Sequence, residues 1–260
     1  MSVAPFKPSF GGALGQGQAI FYYRAGEPLG VIYGTKWVRS IAQLHDNPAN
    51  SGINDADYTI NADGYVVKKA TQGTAAEQPI AYIDAKGNKE HVIGNVNPDF
   101  NFGFANNVSW KNITLYALFT GVKGGEIYNF TKQWGFQDQR PADLDQSGRP
   151  AAQRIPVAFY TVGLYNALNP SSHFVESGSY MKLKELSLGY AVGQRTLDKV
   201  GLSRMVHGAK LALIGRNLYT WTKYSGFDPE VTAGNDFNFR IDGFRYPAFR
   251  QITGQVSLNF

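Results

Sequence analysis

The sequence predicts an all-β fold, an antiparallel transmembrane β-barrel segment, and three observations predict it. Several stretches alternate apolar with small or polar residues over the length of a membrane-crossing strand. The connections between those stretches are alternately short and long. The third observation comes from hydropathy and composition. The 260 residues contain no run of about 18 apolar residues, which excludes a conventional transmembrane helix. Aromatic content nevertheless reaches 14%, which suits strands, interfacial girdles and sugar-stacking loops.

In chain order, Gln18 to Arg24 and Leu29 to Trp37 read as a hairpin across Ala25 to Pro28. Phe100 to Trp110 is the clearest strand. Phe100, Phe102, Phe104, Val108 and Trp110 occupy one face, interrupted by Asn106; Asn101, Gly103, Ala105, Asn107 and Ser109 occupy the other. Lys111-Asn112 is a tight turn, and Ile113 to about Ile127 returns as the hairpin partner. Ser179 to Tyr190 and Ala209 to Trp221 are strand-like. The first changes phase near Lys184-Glu185, after which Leu186, Leu188 and Tyr190 form the apolar face; a bulge or the membrane boundary accounts for the slip. The last strand points Ile252, Val256, Leu258 and Phe260 one way and Thr253, Gln255, Ser257 and Asn259 the other.

The connections at 25–28 and 111–112 are short, and the one at 193–207 is moderate and charged. Those near 38–98, 128–178 and 222–248 are long and rich in Gly, Pro, Asn and Asp. Short periplasmic turns alternating with long extracellular loops are the asymmetry of outer-membrane barrels. This gives about seven strands of roughly 9–11 residues over one segment, residues 1–260. Bacterial barrels have even strand numbers, and the first residues show no basic stretch followed by an apolar one. Both features lead to the expectation of a piece of a larger barrel. The strand near 17–25 and the C-terminal strand are then expected to be open edges.

Other function classes are constrained by the same sequence. With no Cys, a disulfide scaffold, a thiolate metal site and a Cys nucleophile are excluded. The +5 net charge is spread along the chain without a block of like charge, which argues against nucleic acid as a partner. Asp143, Asp145, Ser147 and Gly148 have the spacing of a calcium loop start, but position twelve is Arg154, so they read as a polar loop. The glycines at 11, 12, 15 and 17 read as a flexible turn and not as a dinucleotide fingerprint. His45, His91, His173 and His207 lack metal-ligand spacing, and no catalytic arrangement is evident; no cofactor, metal or enzyme activity is expected. Tyr219, Trp221, Tyr224 and Phe227 are candidates for lining a substrate path, against the alternative of an interfacial aromatic girdle.

Several blocks carry a family resemblance. GEPLGVIYG at 26–34, VIGNVNPDFNFGF at 92–104, FVESGSYMKLKELSLGY at 174–190 and GRNLYTWTKYSGFDPEV at 215–231 resemble, in order, conserved blocks of SusC/RagA-type TonB-dependent receptors. The terminal strand ending in Phe260 is similar to theirs as well. The resemblance spans residues 26 to 260. It departs at 38–92, where an Asp-rich run is replaced by YIDAKGNKEHVIGN, and no plug domain is present. It implies a barrel of about 22 strands around an N-terminal plug, in the outer membrane of a Gram-negative, Bacteroidetes-like cell. It also implies import of oligosaccharides or peptides with a SusD-type lipoprotein and the TonB complex as partners. Val256, Leu258 and Phe260 resemble the C-terminal signal read by the barrel-assembly machinery. Two other classes remain as alternatives: a soluble or surface β-rich carbohydrate-binding module, with both strand faces covered, and a passive porin.

Overall fold

The computed structural model describes residues 2–6, 21–166, 169–202, 204–230 and 240–260. The glycine run at 11–17 and the strand start at Gln18 lie outside them. In chain order the strands are β1 (Ser2–Phe6), β2 (Phe21–Arg24), β3 (Val31–Gly34), β4 (Tyr58–Ile60), β5 (Val66–Lys68), β6 (His91–Asn95) and β7 (Phe100–Trp110). There follow β8 (Ile113–Lys123), β9 (Glu126–Asn129), β10 (Val175–Ser177), β11 (Tyr180–Val192), β12 (Gly208–Thr222), β13 (Ile241–Asp242) and β14 (Gln251–Asn259). Two short helices, α1 (Phe130–Gln137) and α2 (Gln194–Lys199), interrupt them. The chain divides into two compact units, one of residues 98–124, 178–230 and 246–260, the other of residues 1–97, 125–177 and 231–245.

The first of these is an antiparallel sheet in the order β14-β12-β11-β8-β7. Its strands are the five stretches of clearest alternation in the sequence, and they run for 9 to 15 residues. The β7–β8 register is unbroken, from Phe100 opposite Lys123 to Trp110 opposite Ile113. At the turn Lys111 takes φ 52°, the left-handed conformation a two-residue hairpin requires. Register also shows that the Lys111-Asn112 turn and the 193–207 connection leave from the same end: Ala191 N–H donates to Asn112 O, and Val192 lies opposite Ala209. Every residue of β7 and β14 is exposed. Among the described residues both are unpaired edges of this sheet, as expected for the C-terminal strand.

Three expectations need correction. The hairpin at 18–37 consists of two four-residue strands, and β3 is buried at every position. β2 pairs with β1 on one side and β3 on the other, so it is not an open edge. The predicted strand 113–127 breaks at Gly124-Gly125, where φ values of 77° and 68° turn the chain out of β8 into the separate strand β9. Of seven predicted long strands, five are long.

The second unit is built from the predicted hairpin and from much of the long connections. Its small sheets are β1-β2-β3-β6, β10-β9-β13 and β4-β5. Phe21, Ile32, Tyr65, Tyr128, Phe136, Phe159, Tyr160 and Phe174, each no more than 2% exposed, form one aromatic-rich core. Asn129 caps α1, its side-chain oxygen accepting from Lys132 N–H at 2.8 Å, and Phe136 on that helix packs edge-on to Phe174 and His173. Burial pushes the Tyr65 hydroxyl up to about 12, and it shares a hydrogen bond of 2.6 Å with His173 Nδ1. Burial, helped by the Lys132 charge, brings the His173 imidazole down to about 4. Its Nε2 is buried without a hydrogen-bond partner among the described residues.

Candidate functional site

The five-stranded sheet has two chemically distinct faces, and antiparallel pairing assigns every residue to one of them. Phe104 lies opposite Phe119, Phe119 opposite Leu183, and Leu183 opposite Tyr219. Val108, Leu115, Leu188, Leu213 and Gly254 form a second row across the same face. Tyr190, Leu211 and Val256 form a third. This face is apolar across all five strands and uncovered: Phe100 and Phe104 are 57% exposed, Leu213 56% and Val256 66%. Phe102 fills the space over Gly121 opposite it, where any added Cβ would collide with its ring. The opposite face carries Asn107, Tyr116, Ser187 and Ile214 in one row and Gln255, Ala212, Gly189 and Thr114 in another. It is mostly polar or small.

The phase change near Lys184-Glu185 is a bulge. Leu183 faces Phe119 and Tyr219, but Glu185 faces Leu118 and Arg216, so the register slips on both sides of β11 at this point. Against β8 the extra residue lies on β11 and returns Leu186, Leu188 and Tyr190 to the apolar face; against β12 it lies on β12, where Tyr219 to Arg216 takes three steps to the two from Leu183 to Glu185. Before the slip, Tyr180 and Lys182 stay on the polar face.

On that polar face the segment following β12 is tied down by a buried ion network. Lys182, 1% exposed, donates from Nζ to both oxygens of Asp228 at 2.9 and 3.0 Å and to Glu230 Oε2 at 2.7 Å. Lys184 Nζ reaches the same Glu230 oxygen at 2.8 Å, and Tyr180 Oη donates to Glu230 Oε1 at 3.0 Å. Asp228 also accepts from the backbone N–H of Glu230 and of Ala248. One carboxylate thus joins both ends of the 222–250 connection to β11. Burial alone would raise the Glu230 carboxyl, but hydrogen bonds and charge from Lys182 and Lys184 outweigh it and hold it below its ordinary value. Sequence reasoning missed this network. The usable signal was a pair of lysines in a polar-phase stretch together with the Asp228-Pro-Glu230 block.

The four aromatic candidates do not form one cluster. Tyr219 and Trp221 stand on the apolar face, their ring centroids 4.7 Å apart, with Trp221 6.3 Å from Phe119. Tyr224 is buried, and Phe227 is 82% exposed. Val256, Leu258 and Phe260 lie on or directly after the exposed edge strand β14, with Val256 and Leu258 on the apolar face. Among the described residues, no group of three or more His, Asp and Glu side chains is placed to hold a metal ion.

Comparison with known proteins places these features. No protein-family model matches the chain. TonB-dependent receptor P3 of Formosa agariphila is 32% identical over 193 residues, 69% of this chain and 19% of that protein. TonB-dependent receptors P26 and P39 of the same organism are 31% and 25% identical, over 65% and 90% of this chain and 18% and 25% of theirs. The chain therefore spans roughly a fifth to a quarter of the length of these curated relatives. Its fold is similar to solved structures of the RagAB peptide importer. The closed-closed state matches with a TM-score of 0.57 at 21% identity, over 93% of this chain and 24% of that one. The open-open state gives the same TM-score at 19% identity, over 93% and 23%. Sequence blocks, two-faced sheet and relatives agree: the chain belongs to the TonB-dependent receptors.

Proposed function

We propose that this chain is C-terminal barrel wall of an outer-membrane receptor that imports oligomeric nutrients, glycans or peptides, without enzymatic chemistry. TonB supplies the energy, and a SusD-type lipoprotein is the surface partner. The observation that carries this reading is the apolar face shared by all five long strands and left uncovered. A water-soluble carbohydrate-binding module has no use for such a face. In this reading the apolar face meets lipid, the polar face lines the barrel interior, and Tyr219 and Trp221 are girdle residues. Lys111-Asn112 and 193–207 are periplasmic; the connections near 38–98, 128–178 and 222–248 are extracellular.

Because the sequence contains no Cys, single-cysteine variants test the facing cleanly. Leu213→Cys should react with a lipid-soluble maleimide and resist a water-soluble one, and Ser187→Cys should do the reverse. Equal labelling of both by the water-soluble reagent would refute the lipid assignment. Deleting the gene should abolish growth on an oligomeric nutrient while growth on its monomers continues.

The final strand is also the proposed assembly signal. Val256, Leu258 and Phe260 present alternate apolar side chains on or directly after β14, an edge strand among the described residues, the geometry of recognition by strand addition. Phe260→Asp should remove most of the folded protein from the outer membrane. A residue acting only in a girdle would cost about 0–1 kcal/mol and leave the amount unchanged.

A further inference from the structure

The unit built from the long connections contains a cleft of about 350 Å3 between residues 60–77 and residues 152–155. That volume lies in the range of small-ligand sites, roughly 300–1,000 Å3. Glu77 lines it and is 1% exposed. The carboxylate accepts from Asn61 Nδ2 at 2.9 Å and from Gly73 N–H at 2.6 Å, both neutral donors. Among the described residues it has no cationic partner, although it lies beside an open cleft. Arg154 lines the same cleft; its Nε donates to Arg149 O at 3.0 Å, and its two terminal nitrogens make no hydrogen bond or ion pair among the described residues. Gln72 and Gln153 add side-chain amides, and Ile60 and Ile155 add apolar surface. Among the described residues no aromatic side chain lines the cleft, so none of them offers a ring on which a sugar could stack.

We propose that this cleft binds a small zwitterion of the class of a short peptide, with its ammonium group at Glu77 and its carboxylate at Arg154. The ammonium supplies the countercharge that Glu77 lacks. The Arg154 guanidinium keeps two adjacent N–H groups for a paired interaction with a carboxylate. Gln72 and Gln153 hydrogen-bond the amides between. The assignment rests on the nutrient-receptor reading for its biological meaning, and it names the substrate class at one site on that receptor.

The test is calorimetric titration of the detergent-purified protein with triglycine, N-acetyl-triglycine, triglycine amide and maltotriose. Triglycine should bind, acetylation and amidation should each weaken binding at least tenfold, and maltotriose should not bind. Arg154→Ala should weaken triglycine at least tenfold and erase the difference between the free acid and the amide. Glu77→Gln should erase the difference between the free and acetylated amines. If Glu77→Gln fails to fold, the exposed Arg154 still decides the matter. Equal affinity for capped and uncapped peptides, unchanged binding by Arg154→Ala, or no triglycine binding at millimolar concentration would each overturn the proposal. Continued uptake of an oligomeric nutrient in any of those cases would leave the receptor reading intact.

Discussion

Lys182 and Lys184 lie two positions apart in β11 and share the Glu230 carboxylate, yet their energetic roles differ because their burial differs. The Lys182 side chain is 2% exposed and that of Lys184 31%. Replacing Lys182 with Met strands Asp228 and Glu230 without their main countercharge, and removing one partner of a buried pair costs about 3–5 kcal/mol. Lys184→Met removes a half-solvated pair worth about 0–1 kcal/mol. Urea unfolding in detergent should separate the two variants clearly; similar losses would mean that the network is not organised around Lys182. The Glu230 carboxyl is held below its ordinary value of 4.5, so its contribution is complete above that pH and is lost as pH falls through the lower, folded value. His173 has the opposite charge type and the same outcome. Unfolded, it takes a proton near 6.5; folded, it does so only near 4, so acid favours the unfolded chain across that window. Stability should fall by roughly 3 kcal/mol between those pH values, and His173→Gln should flatten the curve there. A wild-type profile unchanged by that substitution would remove His173 as the source.

At the scale of the element, the sheet's two faces depend on a period of two and on the register slips where β11 and β12 each carry an extra residue. A slip of one residue carries every side chain to the wrong face. Deleting Lys184 would therefore move Tyr180 to Leu183 by one place and turn Lys182 onto the apolar face, away from Asp228. The same logic distinguishes two neighbouring positions. Leu213→Arg puts a cation on the apolar face in mid-strand and should cost about 2–4 kcal/mol in a bilayer. Ser187→Arg, on the polar face one row away, should be tolerated. The check is the fraction of heat-modifiable, folded protein in the membrane for each variant; equal losses would contradict the assignment of faces. These faces, the tight turn and the phase slip were all legible in the sequence, because each depends on residues within a few positions of one another.

On the scale of the whole molecule, the finding that sequence reading did not anticipate is the core assembled from the long connections. Phe136, Phe159 and Phe174 are fully buried in it, although they lie in stretches without a sustained period of two. Phe136→Ala should cost about 3–5 kcal/mol and open 38–98 and 128–178 to protease, while the five-stranded sheet stays intact. If these connections are already cut readily in the unsubstituted protein, they do not form a packed body. The polar bond from Tyr65 to His173, across 108 positions in sequence, belongs to the same core.

The sequence by itself determined which residues of the five long strands share a face, where the hairpin turns and where β11 slips. Strand geometry is local: side chains alternate whatever the strand pairs with, so composition at every second position is enough. It also carried the family resemblance. Only tertiary structure decided that Phe21 to Gly34 forms two short strands with β3 buried, that the connections share an aromatic core, and that Lys182 meets Asp228. Those outcomes join groups 46 or more positions apart or depend on burial that alternation cannot encode. They exist only once the chain has closed its long loops, a step whose energy is spread over many contacts and written in no single stretch.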